Sequence, residues 1–235
     1  MKHYLYCLLG LSLGAPLAAH AQSVGIGTTA PASSAALEVS STSKGLLLPR
    51  LSTAQMNALA APVPGLLIYN TTLNKFYGYG LGTSPSSFGQ PVQNIGLASI
   101  TPGQSFTAPA SGGLSEIGVY FSNGSSSTLV ETVTWSVYAG AGTASVPLLT
   151  QTQEVILLGS SPRLVTFTLP ANSVMLTAGQ QYTVALQYAN AALQPMIAGA
   201  NPYAGGTFYS GATPSAALDL AFTVSYLPLQ WVPLH

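Results

Sequence analysis

The sequence predicts an all-β protein: a C-terminal antiparallel β-sandwich, Greek-key or jelly-roll-like, preceded by a small module of short strands with one short helix. Three observations carry this reading. Apolar and polar residues alternate with period 2 in run after run of the C-terminal part, so that each run has one apolar face. Turn-rich spacers such as Ser122-Asn123-Gly124-Ser125, Gly140-Ala141-Gly142 and Thr177-Ala178-Gly179 punctuate those runs. Charged residues make up only 4% of the chain and the formal net charge is zero, against a usual ~25%, so the solvent faces must be built from Ser, Thr, Gln, Asn, Gly and Tyr.

Along the chain, the first element is a targeting segment. Lys2 is followed by an apolar run over residues 4–19 and by Ala19-His20-Ala21 before Gln22, the order of a secretory signal cleaved after Ala21. A membrane-spanning helix needs about 20 apolar residues, and Gly10, Gly14 and Pro16 interrupt this run. Cys7 is the single cysteine and lies within the signal, too far from the cleavage site to be a lipid-modified first residue. The mature chain is therefore expected to be free of cysteine and to be held by its own core or by partner chains. With no later stretch of transmembrane length, it is expected to be secreted, extracellular or held at a cell surface by contacts.

Composition shifts near residue 90, which divides the mature chain into residues 22–89 and 90–235. The first part holds very short apolar stretches (24–26, 37–39, 46–48, 66–69 and 76–79) between Gly, Pro and Ser/Thr clusters, each too short to build a core with its neighbours alone. One helical signal stands among them. Ser52 and Gln55 have capping-box spacing, Leu51 and Met56 can staple across the cap, and Pro62 stops the helix, giving a segment from residue 53 to about 60. Too few apolar residues per strand argues for a symmetric oligomer in which several copies share one core.

In the second part, Ile117, Val119 and Phe121 alternate with Gly118 and Tyr120; Val133, Trp135 and Val137 with Thr134 and Ser136; Val165, Phe167 and Leu169 with Thr166 and Thr168. Tyr182, Val184, Leu186 and Tyr188 form a fourth face, and Leu218, Leu220, Phe222, Val224 and Tyr226 a fifth. Short strands with one apolar face each pack as two antiparallel sheets. Tyr182, just after the turn at 177–179 and at the start of a strand, is placed to bond its hydroxyl back to nearby backbone as a tyrosine corner does.

The motifs Val24-Gly25-Ile26-Gly27-Thr28-Thr29-Ala30-Pro31, Ala36-Leu37-Glu38-Val39, Lys44-Gly45-Leu46-Leu47-Leu48-Pro49-Arg50 and Gly65-Leu66-Leu67-Ile68-Tyr69-Asn70-Thr71 resemble an N-terminal module of secreted and tail-fibre-like bacterial proteins. The resemblance covers about residues 23–80. It implies a fibre-like, surface-displayed architecture, homotrimeric, with a variable domain following the module and no catalytic residues to transfer. The second part is similar to β-sandwich attachment modules of bacterial extracellular proteins, through 103–109, 177–183, 201–206 and 219–222. No terminal sorting domain is expected, since only nine residues follow Tyr226.

Chemistry is sparse. After residue 21 the only histidine is His235, so a Ser-His-Asp triad has no base, and the usual zinc ligands are missing. The carboxylates are Glu38, Glu116, Glu131, Glu154 and Asp219. A glycosidase needs two of them about 5–10 Å apart, and Glu116, Glu131 and Glu154 read as solvated strand residues. The G-x-G-x-x-A match at 25–30 lacks the preceding strand and following helix of a dinucleotide site, and Gly140-Ala141-Gly142-Thr143 reads as a hairpin loop. No catalytic residue, cofactor or metal is assigned; Asp219 alone is too little for calcium. A neutral chain offers no basic face to nucleic acid. The sequons at Asn70 and Asn123 read as incidental. The partners left are a second and third copy of the chain, and a surface glycan or protein. For a glycan, Tyr188, Asn190, Gln194, Asn201, Tyr203, Tyr209 and Asp219 supply rings to stack on sugar faces and polar groups to bond hydroxyls. Two readings follow: a non-catalytic structural or adhesive protein that displays its sandwich on an oligomerising module, and, as the alternative, a monomeric carbohydrate-binding module. The low charge and high Tyr content also suit a filament.

Overall fold

A computed structural model describes residues 23–99, 101–125 and 127–234. The signal segment and its cleavage site lie outside the described residues. The chain falls into two compact units, residues 1–48 and 49–235, so the packing boundary comes earlier than the compositional change near residue 90.

In the first unit, β1 (Val24–Ile26) pairs in parallel with β2 (Leu37–Val39). The second unit begins with β3 (Arg50–Leu51), α1 (Thr53–Asn57), β4 (Leu67–Asn70), β5 (Lys75–Leu81), β6 (Ser86–Gln90) and β7 (Ile95–Gly96). It continues with β8 (Pro102–Thr107), β9 (Gly112–Asn123), β10 (Leu129–Ala139), β11 (Leu149–Leu157), β12 (Arg163–Thr168), β13 (Met175–Leu176) and β14 (Gln181–Gln187). It closes with β15 (Leu193–Gly199), β16 (Phe208–Ser210), β17 (Thr213–Ser215), β18 (Leu218–Leu220) and β19 (Phe222–Pro233). Among the described residues the architecture is nearly all β with antiparallel sheets and one short helix. The exceptions to antiparallel pairing are β1 with β2 and β3 with β4. Each has a connection long enough for the chain to return in the same direction, and α1 lies in the second of them.

One sheet runs β11-β10-β14-β8-β16-β17; the other runs β18-β15-β9-β19-β5-β4-β3, with β12 and β13 also on β9, β6 on β19 and β7 on β15. The apolar faces read from the alternation meet between them. Ile117, Val119 and Phe121 of one sheet and Val133, Trp135 and Val137 of the other are fully buried in a single cluster with Phe167, Val184, Leu186, Phe222 and Val224. The Trp135 and Phe167 rings lie 5.5 Å apart. Removal of these side chains from water is the main stabilising term, about 1.5–3 kcal/mol each.

Two local motifs take the form that their spacing predicts. Ser52 and Gln55 make a reciprocal capping box. The helix, however, ends at Asn57 rather than near residue 60, because the residue before a proline is pushed out of the helical region and Ala61 turns to φ 47°. Tyr182 closes the tyrosine corner: its oxygen accepts from the Thr177 N–H at 2.9 Å and its hydroxyl donates to the Met175 carbonyl at 3.4 Å. Tyr182→Phe is expected to lower the unfolding free energy by about 1–2 kcal/mol, read by urea denaturation; an unchanged midpoint would mean that water replaces both bonds.

The loop after β10 folds back onto the outer face of its own sheet. Gly140 and Gly142 both have φ 85°, a region open to glycine at little steric penalty, and the Thr183 hydroxyl accepts from the Gly142 N–H and donates to the Gly140 carbonyl, each at 2.8 Å. Both sequon asparagines are buried. Asn70 accepts from the N–H groups of Thr72 and Leu73, and Asn123 from that of Ser125, so each serves its own turn.

Candidate oligomerisation surface

Of the seven residues singled out for a glycan, three gather in one place and four do not join them. Asn201, Tyr203 and Asp219 come together. Asp219 on β18 is fully buried; one of its oxygens accepts from the Tyr203 N–H at 2.7 Å and the other from the Gln104 side-chain amide at 3.1 Å. Asn201, its amide turned nitrogen-inward, donates to both oxygens at 3.0 and 3.1 Å. Burial pushes the Asp219 carboxyl above its ordinary range, against the opposing pull of the bonds from Tyr203 and Gln104. The Tyr203 ring packs edge-on to Phe222 at 5.1 Å, and burial, opposed by a bond to Thr107 and aided by the Asp219 charge, raises its hydroxyl. This is a carboxylate that organises its own loop.

The remaining four stand elsewhere. Tyr188 is buried edge-on to Phe121 and donates to the Ser99 carbonyl, with burial first and the Glu131 charge second pushing its hydroxyl far above the usual range. Asn190 is exposed and caps a turn by accepting from the Ala192 N–H. Gln194 is half-buried on β15, where it crowds Gly96 and Gly124. Tyr209 is buried on β16 beneath Gly142.

A more open surface lies on the outer face of the six-stranded sheet. A groove of about 240 Å³ is lined there by Thr101, Thr134, Ser136, Tyr138, Thr143 and Gln187 among others. Thr134 and Ser136 face outward because the register of β10 turns Val133, Trp135 and Val137 to the core. Among the described residues no charged side chain lines it. Spacing along the chain does not mark this groove, because its residues come from β10, β14 and three further segments, around Thr101, Thr143 and Gly211, that only the sheet pairing brings together.

The largest departure from a self-sufficient monomer is in residues 23–48. Not one described residue there is buried. The parallel register pairs Val24 with Leu37 and Ile26 with Val39, which puts all four side chains on one face of the two-stranded ribbon. Val24, Ile26 and Leu37 are more than half exposed and Val39 is 40% exposed. The ribbon is nevertheless tightly built. Gly27 turns at φ +78°, where a Cβ would lie 2.0 Å from the Ser40 carbonyl oxygen; the Ser40 N–H bonds to the Ile26 carbonyl at 2.8 Å; and Glu38 accepts from the Ala32 N–H at 2.7 Å. In the second unit, Leu59, Val63, Leu67, Leu73 and Phe76 are also exposed. A fixed apolar face without a core beneath it is the mark of a surface that other chains cover.

Among the described residues no group of three His, Cys, Asp or Glu side chains could hold a metal ion, and no helix is long and apolar enough to cross a membrane. Residues 25–88 match the family described as phage tail like trimerisation region. The comparison with curated proteins returns no match. A trimerisation region of this kind and a mostly β architecture fit a tail-fibre-like protein with a structural, oligomerising role, and support a homo-oligomer of three chains.

Proposed function

We propose that the chain is exported by its first 21 residues, assembles as a homotrimer through residues 25–88 and presents its β-sandwich as an adhesive, non-catalytic head at or outside the cell surface. The observation that carries this is the apolar face of Val24, Ile26, Leu37 and Val39, of which all but Val24 lie inside the region that matches a trimerisation family, and which has no core of its own. Burial in a shared core contributes roughly 1.5–3 kcal/mol for each such side chain, and three copies of the face give a closed assembly that no single chain can reach. The adhesive surface in this reading is the uncharged, hydroxyl-rich groove around Ser136 and Tyr138. Its neutral lining suits a surface glycan or a neutral protein patch, and three heads on one stem bind by avidity where one binds weakly.

The monomeric carbohydrate-binding alternative gains no separate support, because the Asp219 oxygens already accept from Gln104, Asn201 and Tyr203. Secreted material is expected to begin at Gln22 and to scatter light with the mass of three chains across a hundredfold range of concentration. A single-chain mass at high concentration would remove the proposal.

A further inference from the structure

The strand that closes the sandwich does not stop at the sandwich. The first half of β19 pairs with β9 and β6, while its second half crosses to β5 with Leu229 opposite Leu81, Trp231 opposite Tyr79 and Pro233 opposite Tyr77. Opposed residues of a ladder share a face, so an apolar stripe forms from both strands, its Tyr79 and Trp231 rings edge-to-face at 5.3 Å. Every member of the stripe is only half-buried, whereas the inward aromatic rings of the sandwich, such as Trp135 and Phe222, are sealed. Beside the stripe a groove of about 510 Å³ opens, walled by Met56, Leu59 and Pro62 on one side and by Tyr77, Tyr79 and Trp231 on the other. Among the described residues its polar lining is the Asn57 and Gln230 amides and the hydroxyls of Tyr77 and Tyr79.

We propose that this groove is part of the interface between copies, and that Trp231, 143 residues beyond the end of the trimerisation match at residue 88, is its anchor. The inference rests on the three-chain reading above and extends it to a part of the chain that the family match does not include. The occupant is a second copy of this chain, because five of the six residues named on its walls belong to the region that matches a trimerisation family. A half-built aromatic pocket with no charged lining among the described residues has the composition of an interface centre, where Trp and Tyr are enriched and charges depleted. In a three-fold assembly each copy offers its groove to one neighbour and fills that of the other. The stem is then completed by the last strand of the head, so that assembly and folding of the C-terminus depend on each other.

The test uses the mature chain and its two tryptophans, Trp135 buried in the core and Trp231 in the groove. Acrylamide quenching of the three-chain species is expected to show no accessible fraction, both indoles being shielded; a freely quenched Trp231 in that species overturns the proposal. Leu59→Arg puts a charge on the opposite wall at a position already 37% exposed, so the fold tolerates it, and it is expected to raise the dissociation concentration at least about 30-fold, as loss of an interface centre does. An assembly as tight as the parent's sinks the groove while leaving a trimer held by residues 25–88 intact. A parent chain that never shows the three-chain mass sinks the underlying reading instead, and the groove with it.

Discussion

A chain carrying Asp219→Ala is expected to unfold with about 3–5 kcal/mol less free energy than the parent, because three donors, one buried and two part-buried, lose their acceptor at once and each stranded donor costs about 1–3 kcal/mol. The donors are the Tyr203 N–H, the Gln104 amide and the Asn201 amide. Gln104 links this site to the sandwich, since its carbonyl oxygen accepts from the Leu220 N–H at 2.9 Å, so the loss reaches β8 and β18 together. Asp219→Asn separates charge from shape. Its amide keeps one acceptor but turns a second donor toward the same cluster, and it is expected to recover at most about half of the deficit. Guanidinium unfolding measures the energies, and hydrogen exchange reads out the 201–207 loop, whose Tyr203 amide is expected to lose its protection. A loop that stays protected in Asp219→Ala would show that Thr107, Ser105 and the backbone hold it without the carboxylate.

Gly27→Val is expected to abolish the three-chain species at working concentrations and to leave the sandwich unchanged. A Cβ at this position meets the Ser40 carbonyl oxygen at 2.0 Å, and φ +78° is unfavourable for any side chain and most of all for a β-branched one. The chain can relieve the overlap only by moving Ser40 away from Ile26, which breaks the bond that closes the β1–β2 ribbon and scatters the four apolar side chains on its face. The dissociation concentration is expected to rise at least ~100-fold, the equivalent of about 2.7 kcal/mol. The buried members of the sandwich core come from residue 106 onward, and Phe88 and Leu97 pack on them from well beyond the ribbon in sequence, so thermal unfolding of that core, followed by the near-ultraviolet signal of Trp135, is expected to match the parent's in a single-chain sample. A variant that remains trimeric would show that the ribbon is a passenger in the assembly.

Period-2 alternation placed Ile117, Trp135, Phe167, Val184 and Phe222 on inward faces, and all are buried. The Ser52–Gln55 cap and the Tyr182 corner were legible for the same reason: each joins residues within seven positions of one another, so spacing alone specifies the bond. Strand order was not legible. The run 218–226 reads as one strand, yet it breaks at Ala221 and serves two neighbours, β18 on β15 and β19 on β9, and β19 then runs on to Pro233 because β5 supplies a partner. The Asp219 cluster depends on Gln104, 115 residues away, and nothing local marks either residue for the other.

The sequence by itself determined an all-β chain, the inward face of each long strand, the short capped helix and the shortage of core residues before residue 90. These follow from side-chain periodicity and local spacing, which act within a single strand or turn. Only the tertiary structure decided which strands pair, that the compact units part at Leu48 and Pro49, and that four exposed apolar residues share one face of a ribbon. It also decided that Trp231 stands beside Tyr79 at the far end of the chain. Backbone hydrogen bonds between strands are the same for every side chain, so the choice among distant partners is left to how all the apolar faces close together.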